Sequence, residues 1–332
     1  MFELDSELPA NVSDGRSAAA SDLPNLHILL AAPRGFCAGV RRAIDAVRDA
    51  LRVHGAPVYV RRPIVHNLMV VRELEAEGAV FVQELDEVPE GAVVLLSAHG
   101  VAPEIALEAR RRRLVAYDAV CPLVAKVHRE VERHHRSGRH VVLVGHEGHP
   151  EIVGTLGHLP PGAASLIRTA ADVEALPLPS GAAIGVALQT TYSVEEAAEV
   201  VAALAARFPD LALPSGGDIC YATTNRQAAV RAIAPRSDSM IVAGEQFSSN
   251  ACRLAEVALA AGCARVQLVS SAAELDWSLV PRGGTVGITA AASTPERAVT
   301  EIVEALGGRY RIRMEEVEAA TETTAFRAVA IQ

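Results

Sequence analysis

The sequence predicts an α/β fold made of three similar α/β modules with mostly parallel sheets. From Leu26 onward, short apolar runs alternate with segments of helical period, a pattern typical of repeated βα units. Cys37, Cys121 and Cys220 each follow an apolar run and precede a helical segment, at similar intervals along the chain. Such spacing indicates an approximate internal repeat, with one cysteine in each module.

Nine apolar runs are predicted to be strands. In chain order they are HILLAA, PVYV, AVVLLSA, LVAYDA, HVVLVG, AIGVAL, SMIVAG, RVQLVS and TVGITA. Ligands of open α/β sheets bind outside the carboxyl ends of the strands, so loops that follow these runs are expected to converge on one site.

Composition and repeat spacing give the predicted division of the chain. The predicted units are a disordered extension at 1–25, a first module at 39–121, a second at 122–217, a third formed by 26–38 with 218–306, and a tail at 307–332. The extension is rich in serine, alanine and aspartate without an apolar period, as disordered segments are.

Charge and hydropathy exclude several classes of protein. The formal net charge is -9, which argues against general nucleic-acid binding. No apolar run reaches the roughly 18 residues of a membrane helix, and the amino terminus lacks the pattern of a signal peptide. We therefore expect a cytoplasmic protein without membrane association, in which the five cysteines are not a disulfide framework.

The three equivalent cysteines are candidate metal ligands. A cysteine at a helix amino terminus is biased toward thiolate, the form that binds metals. Three thiolates suit zinc completed by a histidine, or a cubane iron-sulfur cluster with one open iron, and spacing alone does not choose between them. Cys252 and Cys263 lie within and at the end of a helical pattern, so packing roles are expected for them.

Neutral or weakly basic donors precede several predicted helices. They are His66, His99, His149, Ser248, Ser249, Asn250 and Ser293, with Thr294 expected to cap its helix. Helix amino termini bind phosphate through free N–H groups. The set predicts a site for an anion of diphosphate size that is held without lysine or arginine.

One carboxylate stands beside these donors, in the segment HPE. Glu151 is a candidate proton donor, and the hydroxyls of the QTT segment, Thr190 and Thr191, lie at another predicted strand end where a hydroxyl can relay a proton. An ordinary first-turn helix residue is the alternative for this glutamate.

Several motifs together resemble one known family. PRGFCAGVRRAI, VHN, SAHGV, DAVCPLVAKVH, GHEGHPEIVGT, QTTYSV, DICYATTNRQ, SSN and GITAAASTPE are similar, in the same order, to motifs of the LytB/IspH family, the 4-hydroxy-3-methylbut-2-enyl diphosphate reductases. The likeness runs from about Leu26 to Leu306.

The resemblance implies a fold, a cofactor and a reaction. The fold is three pseudo-symmetric α/β modules around a central 4Fe-4S cluster, one per chain, held by Cys37, Cys121 and Cys220 with one open iron. The reaction is reductive dehydroxylation of the hydroxylated diphosphate to isopentenyl and dimethylallyl diphosphate, the last step of the methylerythritol phosphate pathway.

The resemblance also assigns roles to site residues. Glu151 and Thr190 manage protons, and contacts to substrate or its diphosphate come from His66, His99, His149, Thr190, Thr191, Thr223, Ser248, Ser249, Asn250 and Ser293. Three positions depart from the family: Phe247 and Ala251 flank the SSN motif, and Ala291 replaces a glycine. We expect this alanine either to strain a turn or to crowd the diphosphate.

A small ferredoxin or flavodoxin is the expected electron donor, because no G-x-G-x-x-G nucleotide fingerprint is present. Arginines at 41–42, 61–62 and 110–113 are candidates for its docking patch, with a solvated helix face as the alternative.

Two other functions stay open at this point. One is an iron-sulfur hydro-lyase, which needs no donor, and the other is an inactive cluster-bearing paralogue or sensor.

Overall fold

Strands and helices alternate along residues 23–332, the part of the chain that this computed structural model describes. The strands are β1 (Asn25–Ala32), β2 (Val58–Arg61), β3 (Ala79–Val82), β4 (Val93–Leu96), β5 (Val115–Asp118), β6 (His140–Val144), β7 (Ala164–Ile167), β8 (Ile184–Leu188), β9 (Leu211–Ala212), β10 (Ser239–Ala243), β11 (Val266–Val269), β12 (Thr285–Ala290) and β13 (Arg311–Glu318). The helices are α1 (Ala38–His54), α2 (Leu68–Ala76), α3 (Pro103–Arg111), α4 (Pro122–Arg136), α5 (Pro150–Leu156), α6 (Asp172–Ala175), α7 (Val194–Arg207), α8 (Tyr221–Ile233), α9 (Ser249–Ala260) and α10 (Glu296–Gly307).

The strands form three separate parallel sheets. Their orders are β3-β2-β4-β5, β7-β6-β8-β9 and β11-β10-β12-β1-β13. The first strand of the chain pairs with β12 and β13, so the third sheet joins the beginning of the described chain to its end. β8 and β10 are buried along their whole length, as expected for central strands of a sheet covered on both faces.

The predicted fold class is confirmed, and all nine predicted runs contain strands. Four further strands, β3, β7, β9 and β13, were not predicted. Each lies at the edge of its sheet, where one side is open and the sequence need not be uniformly apolar. β13 shows this most clearly, because its alternate residues are exposed.

The predicted module boundaries remain a proposal, to which the division into three sheets lends support. The predicted disordered extension lies outside the described residues except for positions 23–25, and Asn25 already begins β1. The predicted tail contains β13, so part of it is a strand of the third sheet. Within residues 23–332, no helix has both the length and the apolar character needed to cross a membrane.

Candidate functional site

Loops at the carboxyl ends of strands from all three sheets line one central cavity. It holds about 780 Å³ of space, its open mouth included. Every side chain that the sequence predicted for the site faces it: Cys37, His66, His99, Cys121, His149, Glu151, Thr190, Thr191, Cys220, Thr223, Ser248, Ser249, Asn250 and Ser293. The fold therefore brings all of the predicted site residues together around one cavity. Their individual roles remain predictions.

The three cavity cysteines occupy equivalent positions in the fold. Cys37, Cys121 and Cys220 are the N-cap residues of α1, α4 and α8. Two of the sulfur atoms accept backbone hydrogen bonds in the first helical turn, Cys37 Sγ from the N–H of Val40 and Cys220 Sγ from that of Thr223. The three thiols, which follow one strand from each sheet, thus lie together in the cavity.

Two glycines allow the loop before α1 to approach the cavity closely. Gly35 has a φ of 67°, a conformation that a residue with a side chain rarely adopts. A Cβ atom on Gly39 would lie 2.8 Å from Cys121 Sγ and 3.8 Å from Cys37 Sγ. The space between these two sulfur atoms therefore stays open because residue 39 is a glycine, which has no side chain.

For two of the three cavity cysteines, burial opposes the thiolate form that the helix dipole was expected to favour. Burial raises the pKa of Cys121 to about 11 and that of Cys220 to about 12, and repulsion between neighbouring thiolates adds to the effect. Desolvation therefore outweighs the helix dipole. A positively charged ligand is needed to make thiolates the stable form here.

The other two cysteines do not line this cavity. Cys263 is buried in the core of the third sheet, and half-buried Cys252 donates its S–H to the carbonyl of Gln246, so both have local packing roles. The described residues contain no group of three or more His, Cys, Asp or Glu side chains that could hold a metal ion.

Three imidazole rings form one wall of the cavity. The ring centroid of His66 lies 4.2 Å from that of His99 and 5.4 Å from that of His149. Burial lowers the pKa of His66 to about 4 and that of His149 to about 3, and lowers the pKa of His99 well below its usual value. All three rings are neutral near pH 7, so they offer N–H groups rather than charges.

Serine and asparagine side chains surround the amino terminus of α9, beside the imidazole wall. Ser248 caps this helix. Asn250 accepts the N–H of Ala292 through Oδ1, while its Nδ2 atom is buried without a hydrogen-bond partner, as is Nε2 of His66. Buried polar atoms are normally paired. Two unpaired polar atoms on residues that line one cavity therefore indicate a ligand that forms hydrogen bonds there.

Glu151 is fully buried in the first turn of α5, and Thr190 is its partner. The Thr190 backbone N–H donates to Glu151 Oε1 at 2.7 Å, and the Thr190 hydroxyl donates to Oε2 at 2.8 Å. Burial raises the pKa of Glu151 to about 7, although the bonds from Thr190 oppose the rise and buried Asp218 adds to it. This carboxyl group can hold or release a proton near neutral pH.

Two aromatic residues of the cavity wall, Tyr221 and Phe326, were not predicted from the sequence. Tyr221 follows Cys220 directly, and its hydroxyl accepts the N–H of Ala38, which links the loops of two cysteines. Phe326 comes from the segment after β13. Tyr221 could have been predicted because it directly follows Cys220, a candidate metal-ligating residue. No local sequence pattern marks Phe326.

Both expectations for Ala291 are wrong. Positive φ values among non-glycine residues of the described chain occur at Arg62 and Arg113, so Ala291 is not strained. It is buried but does not line the cavity.

Thr294 does not cap α10, because Pro295 is the N-cap residue and the Thr294 hydroxyl donates to the carbonyl of Ala243.

Phe247 lies at the edge of the imidazole wall. Its ring stands edge-on to that of His66, with centroids 6.0 Å apart, and the side chain is about half exposed. It contacts the wall from outside, since it lines a neighbouring surface pocket rather than the cavity itself.

Comparison with known proteins gives consistent matches over most of the chain. Residues 28–307 match the family model described as LytB protein. The chain is 52% identical to a 4-hydroxy-3-methylbut-2-enyl diphosphate reductase of Beijerinckia indica over 92% of this chain and 96% of the relative. It is 53% identical to the protein of the same name from Gluconobacter oxydans, over 91% of each.

Two solved structures are also similar. The E-1-hydroxy-2-methyl-but-2-enyl-4-diphosphate reductase from Plasmodium falciparum matches with a TM-score of 0.86 and 34% identity, over 92% of this chain and 96% of that one. A second, described as (E)-4-hydroxy-3-methyl-but-2-enyl diphosphate reductase, the terminal enzyme of the non-mevalonate pathway, matches with a TM-score of 0.61 and 33% identity, over 85% and 99%.

Proposed function

The chain belongs to the LytB protein family, and on this premise we propose that it reduces (E)-4-hydroxy-3-methylbut-2-enyl diphosphate to isopentenyl diphosphate and dimethylallyl diphosphate. This reaction is the last step of the methylerythritol phosphate pathway. The observation that carries the proposal is the single cavity that joins three thiols, a carboxyl group with a near-neutral pKa and a wall of neutral hydrogen-bond donors. Relatives more than 50% identical carry the name of this activity.

The cavity thiols fit a 4Fe-4S cluster held by Cys37, Cys121 and Cys220. Each comes from a different helix amino terminus, and Gly39 leaves the space between two of them free of side-chain atoms. Because only thiolates ligate iron and burial raises the pKa of Cys121 and Cys220, binding of such a cluster would release their protons. When bound, such a cluster supplies electrons one at a time and a Lewis-acidic iron for a hydroxyl oxygen.

The diphosphate would bind at the imidazole and serine end. His66 and Asn250 have unpaired donors there, and the Ser248 and Ser293 hydroxyls lie 3.5 Å apart. The α9 amino terminus adds free N–H groups and a favourable dipole. Because the donors are neutral, this end can release a charged product more easily than an arginine cluster would.

Glu151 and Thr190 would serve the hydroxyl end of the substrate. Reduction breaks the C–O bond, forms a C–H bond and consumes two electrons and two protons, with the hydroxyl group leaving as water. A glutamic acid with a pKa of about 7 can donate one of these protons, and the Thr190 hydroxyl, which contacts Glu151 at 2.8 Å, can orient the carboxyl group or pass the proton on.

Anaerobic reconstitution tests the proposal. We expect the purified chain to bind iron and sulfide and to convert the diphosphate substrate only when a reduced one-electron donor is supplied. Turnover without a reductant would indicate a hydro-lyase, and a loaded cluster without turnover would indicate a sensor or an inactive paralogue.

The ligand assignment has its own test. Serine at position 37, 121 or 220 is expected to reduce iron content, whereas Cys252→Ser and Cys263→Ser serve as matched controls that keep it, since neither lines the cavity. Normal iron loading in Cys121→Ser would contradict the assignment.

A further inference from the structure

The last fourteen residues, 319–332, contain no helix or strand, yet they are fixed to the rest of the molecule at several points. They follow β13, and the N–H of Ala319 donates to the carbonyl of Ala32 at 2.8 Å. This C-terminal segment lies beyond the residues matched by the family model. Several of its contacts involve the loops that contain the cavity cysteines or the helices that follow them.

The first attachment is a buried ion pair. Arg226 on α8 is fully buried, and its guanidinium donates to the carbonyls of Gly35 and Ala222 and to Oε1 of Glu322 at 2.8 Å. Gly35 lies in the loop that leads to Cys37. An isolated buried charge is costly, so Glu322 of the C-terminal segment stabilises an arginine that joins two of the cysteine loops.

The second attachment involves the third cysteine loop. Arg42 on α1 donates to the carbonyl of Arg327 at 2.8 Å and, through Nη1, to the carbonyls of Ala119 and Val120, which directly precede Cys121. The end of the chain is held as well. Gln332 exchanges hydrogen bonds with the hydroxyl of Tyr117, and Val329 and Ile331 pack against the core of the first sheet.

Phe326 lies between these two attachments. Its side chain lines the cysteine cavity and also a surface groove between α1 and the C-terminal segment. Of the described residues, Phe326 is the one that lines both the cavity and the groove. The ring is therefore the partition between the thiols and the solvent on this side of the molecule.

We propose that the C-terminal segment is a wall of the cysteine cavity, which keeps solvent and thiol reagents from Cys37, Cys121 and Cys220 through the ring of Phe326, with Arg42 and Arg226 holding that ring in place. The proposal rests on the proposed function only for the identity of the group that the thiols bind. All three cysteines keep some exposure, and oxidation of thiolates and clusters depends on access, so a change in this wall should change their reactivity.

Alkylation of the apoprotein tests this without any turnover. Full-length reduced protein is treated with iodoacetamide, and the labelling rate of each cysteine is followed by peptide mass spectrometry. In Phe326→Ala we expect the cavity cysteines to react roughly tenfold faster relative to Cys263, because labelling follows the population of accessible thiol. Cys263 is buried in the core of the third sheet, outside the cavity, and reports general unfolding.

Two further variants separate the wall from simple destabilisation. Phe326→Leu keeps an apolar side chain in the partition and should label almost as slowly as wild type, while Glu322→Gln weakens the attachment at Arg226 and should label faster. In reconstituted Phe326→Ala protein, the visible absorbance of the cluster should decay faster in air.

The outcome is read as the ratio of cavity labelling to Cys263 labelling. An unchanged ratio in Phe326→Ala, including a case in which both rates rise together, would overturn the proposal. A protein that fails as a reductase but shows the raised ratio would contradict the proposed function alone, so the two failures are distinguishable.

Discussion

The Glu151 carboxyl group accepts two hydrogen bonds from one residue, Thr190, at 2.7 and 2.8 Å. Among residues 23–332 it has no cationic partner, so burial controls its pKa, which rises to about 7. A carboxyl group with this pKa carries a proton for part of the time at neutral pH. The environment, rather than the residue type, makes this glutamate a proton donor.

Glu151→Gln should bind substrate but turn over slowly. Glutamine keeps the size and the hydrogen bonding of the side chain and removes the transferable proton. We expect kcat to fall by about 10²- to 10⁴-fold, the usual contribution of an acid-base group. In wild type, kcat should also decline as the pH rises through 7, because the protonated form is lost.

Exposed Glu147 on the same loop provides the matched control, since it does not line the cavity. Glu147→Gln should retain wild-type kcat. A kcat within a few-fold of wild type in Glu151→Gln would exclude the proposed proton role.

At the scale of elements, the packing of α9 against β10 brings together two of the departures from the family. A Cβ on Gly244, directly after β10, would lie 2.6 Å from the Cβ of Ala251 and 3.2 Å from that of Ala291. The two alanines therefore fill space beside a residue that has no side chain. Both departures belong to one packed layer behind the cavity.

Ala291→Gly should lower stability and leave KM unchanged. The variant removes a buried methyl group and adds backbone freedom, which together cost about 1 kcal/mol, and Ala291 does not line the cavity. Gly244→Ala should also destabilise the protein, because its Cβ has no room. Thermal melting with and without substrate, combined with kinetics, checks both, and a lower KM in Ala291→Gly would contradict this account.

Much of the site was predictable because its residues follow apolar runs in regular positions. In parallel sheets the carboxyl ends of strands lie at one edge, so Cys37, His99 and Glu151 could be expected near each other from order alone. The edge strands β3, β7, β9 and β13 and the C-terminal segment were not predicted in this way. The contacts of Glu322 and Phe326 form with residues far away in sequence, and no local pattern encodes them.

The thiol pKa values show a second limit of sequence reasoning. Helix position is readable from sequence and favours thiolate, but burial depends on how the three modules meet. The structure shows that burial dominates for Cys121 and Cys220.

At the scale of the whole molecule, histidines lie where the first and second sheets meet. His128 on α4 stacks on His158, with ring centroids 4.1 Å apart, and closely approaches Gly100. His158 in turn contacts Glu132 and the carbonyl of Val101. Burial first, and then repulsion from His158 and Arg129, lower the pKa of His128 to about 3.

Acid should therefore weaken the fold. Between pH 6.5 and about 3 the unfolded chain binds a proton at His128 that the folded chain does not, so stability falls as the pH falls through this window. From pH 7 to 5 this residue costs at most roughly 2 kcal/mol. His128→Gln should show a smaller drop in melting temperature over that range than wild type. The exposed His135 is the control, and an equal drop in His128→Gln would contradict the assignment.

The charge distribution over the whole molecule bears on electron delivery, for which we propose a small acidic ferredoxin or flavodoxin. Most of the arginines predicted for its docking patch have other partners: Arg61 and Arg62 pair with Glu84, and Arg111 and Arg113 pair with Glu108 and Glu90. Arg42 holds backbone carbonyls. Arg41 differs, because it is exposed in α1, stacks over Phe36, and lines the groove beside Phe326.

Arg41→Glu should therefore slow turnover driven by a reduced ferredoxin. The groove beside Phe326 adjoins the thiol end of the cavity, so a donor docked there is close to the cluster that we propose. Opposite charges steer association, and salt screens them. We expect wild-type turnover with ferredoxin to fall as ionic strength rises, and the Arg41→Glu variant to be slower at low salt and less sensitive to salt. Arg282→Glu, an exposed change before β12 at the amino ends of the strands, is the matched control and should behave as wild type. Turnover with a small neutral reductant should be the same in all three proteins. If both substitutions slow ferredoxin-driven turnover equally, net charge rather than a docking position at Arg41 governs the association of ferredoxin with the protein.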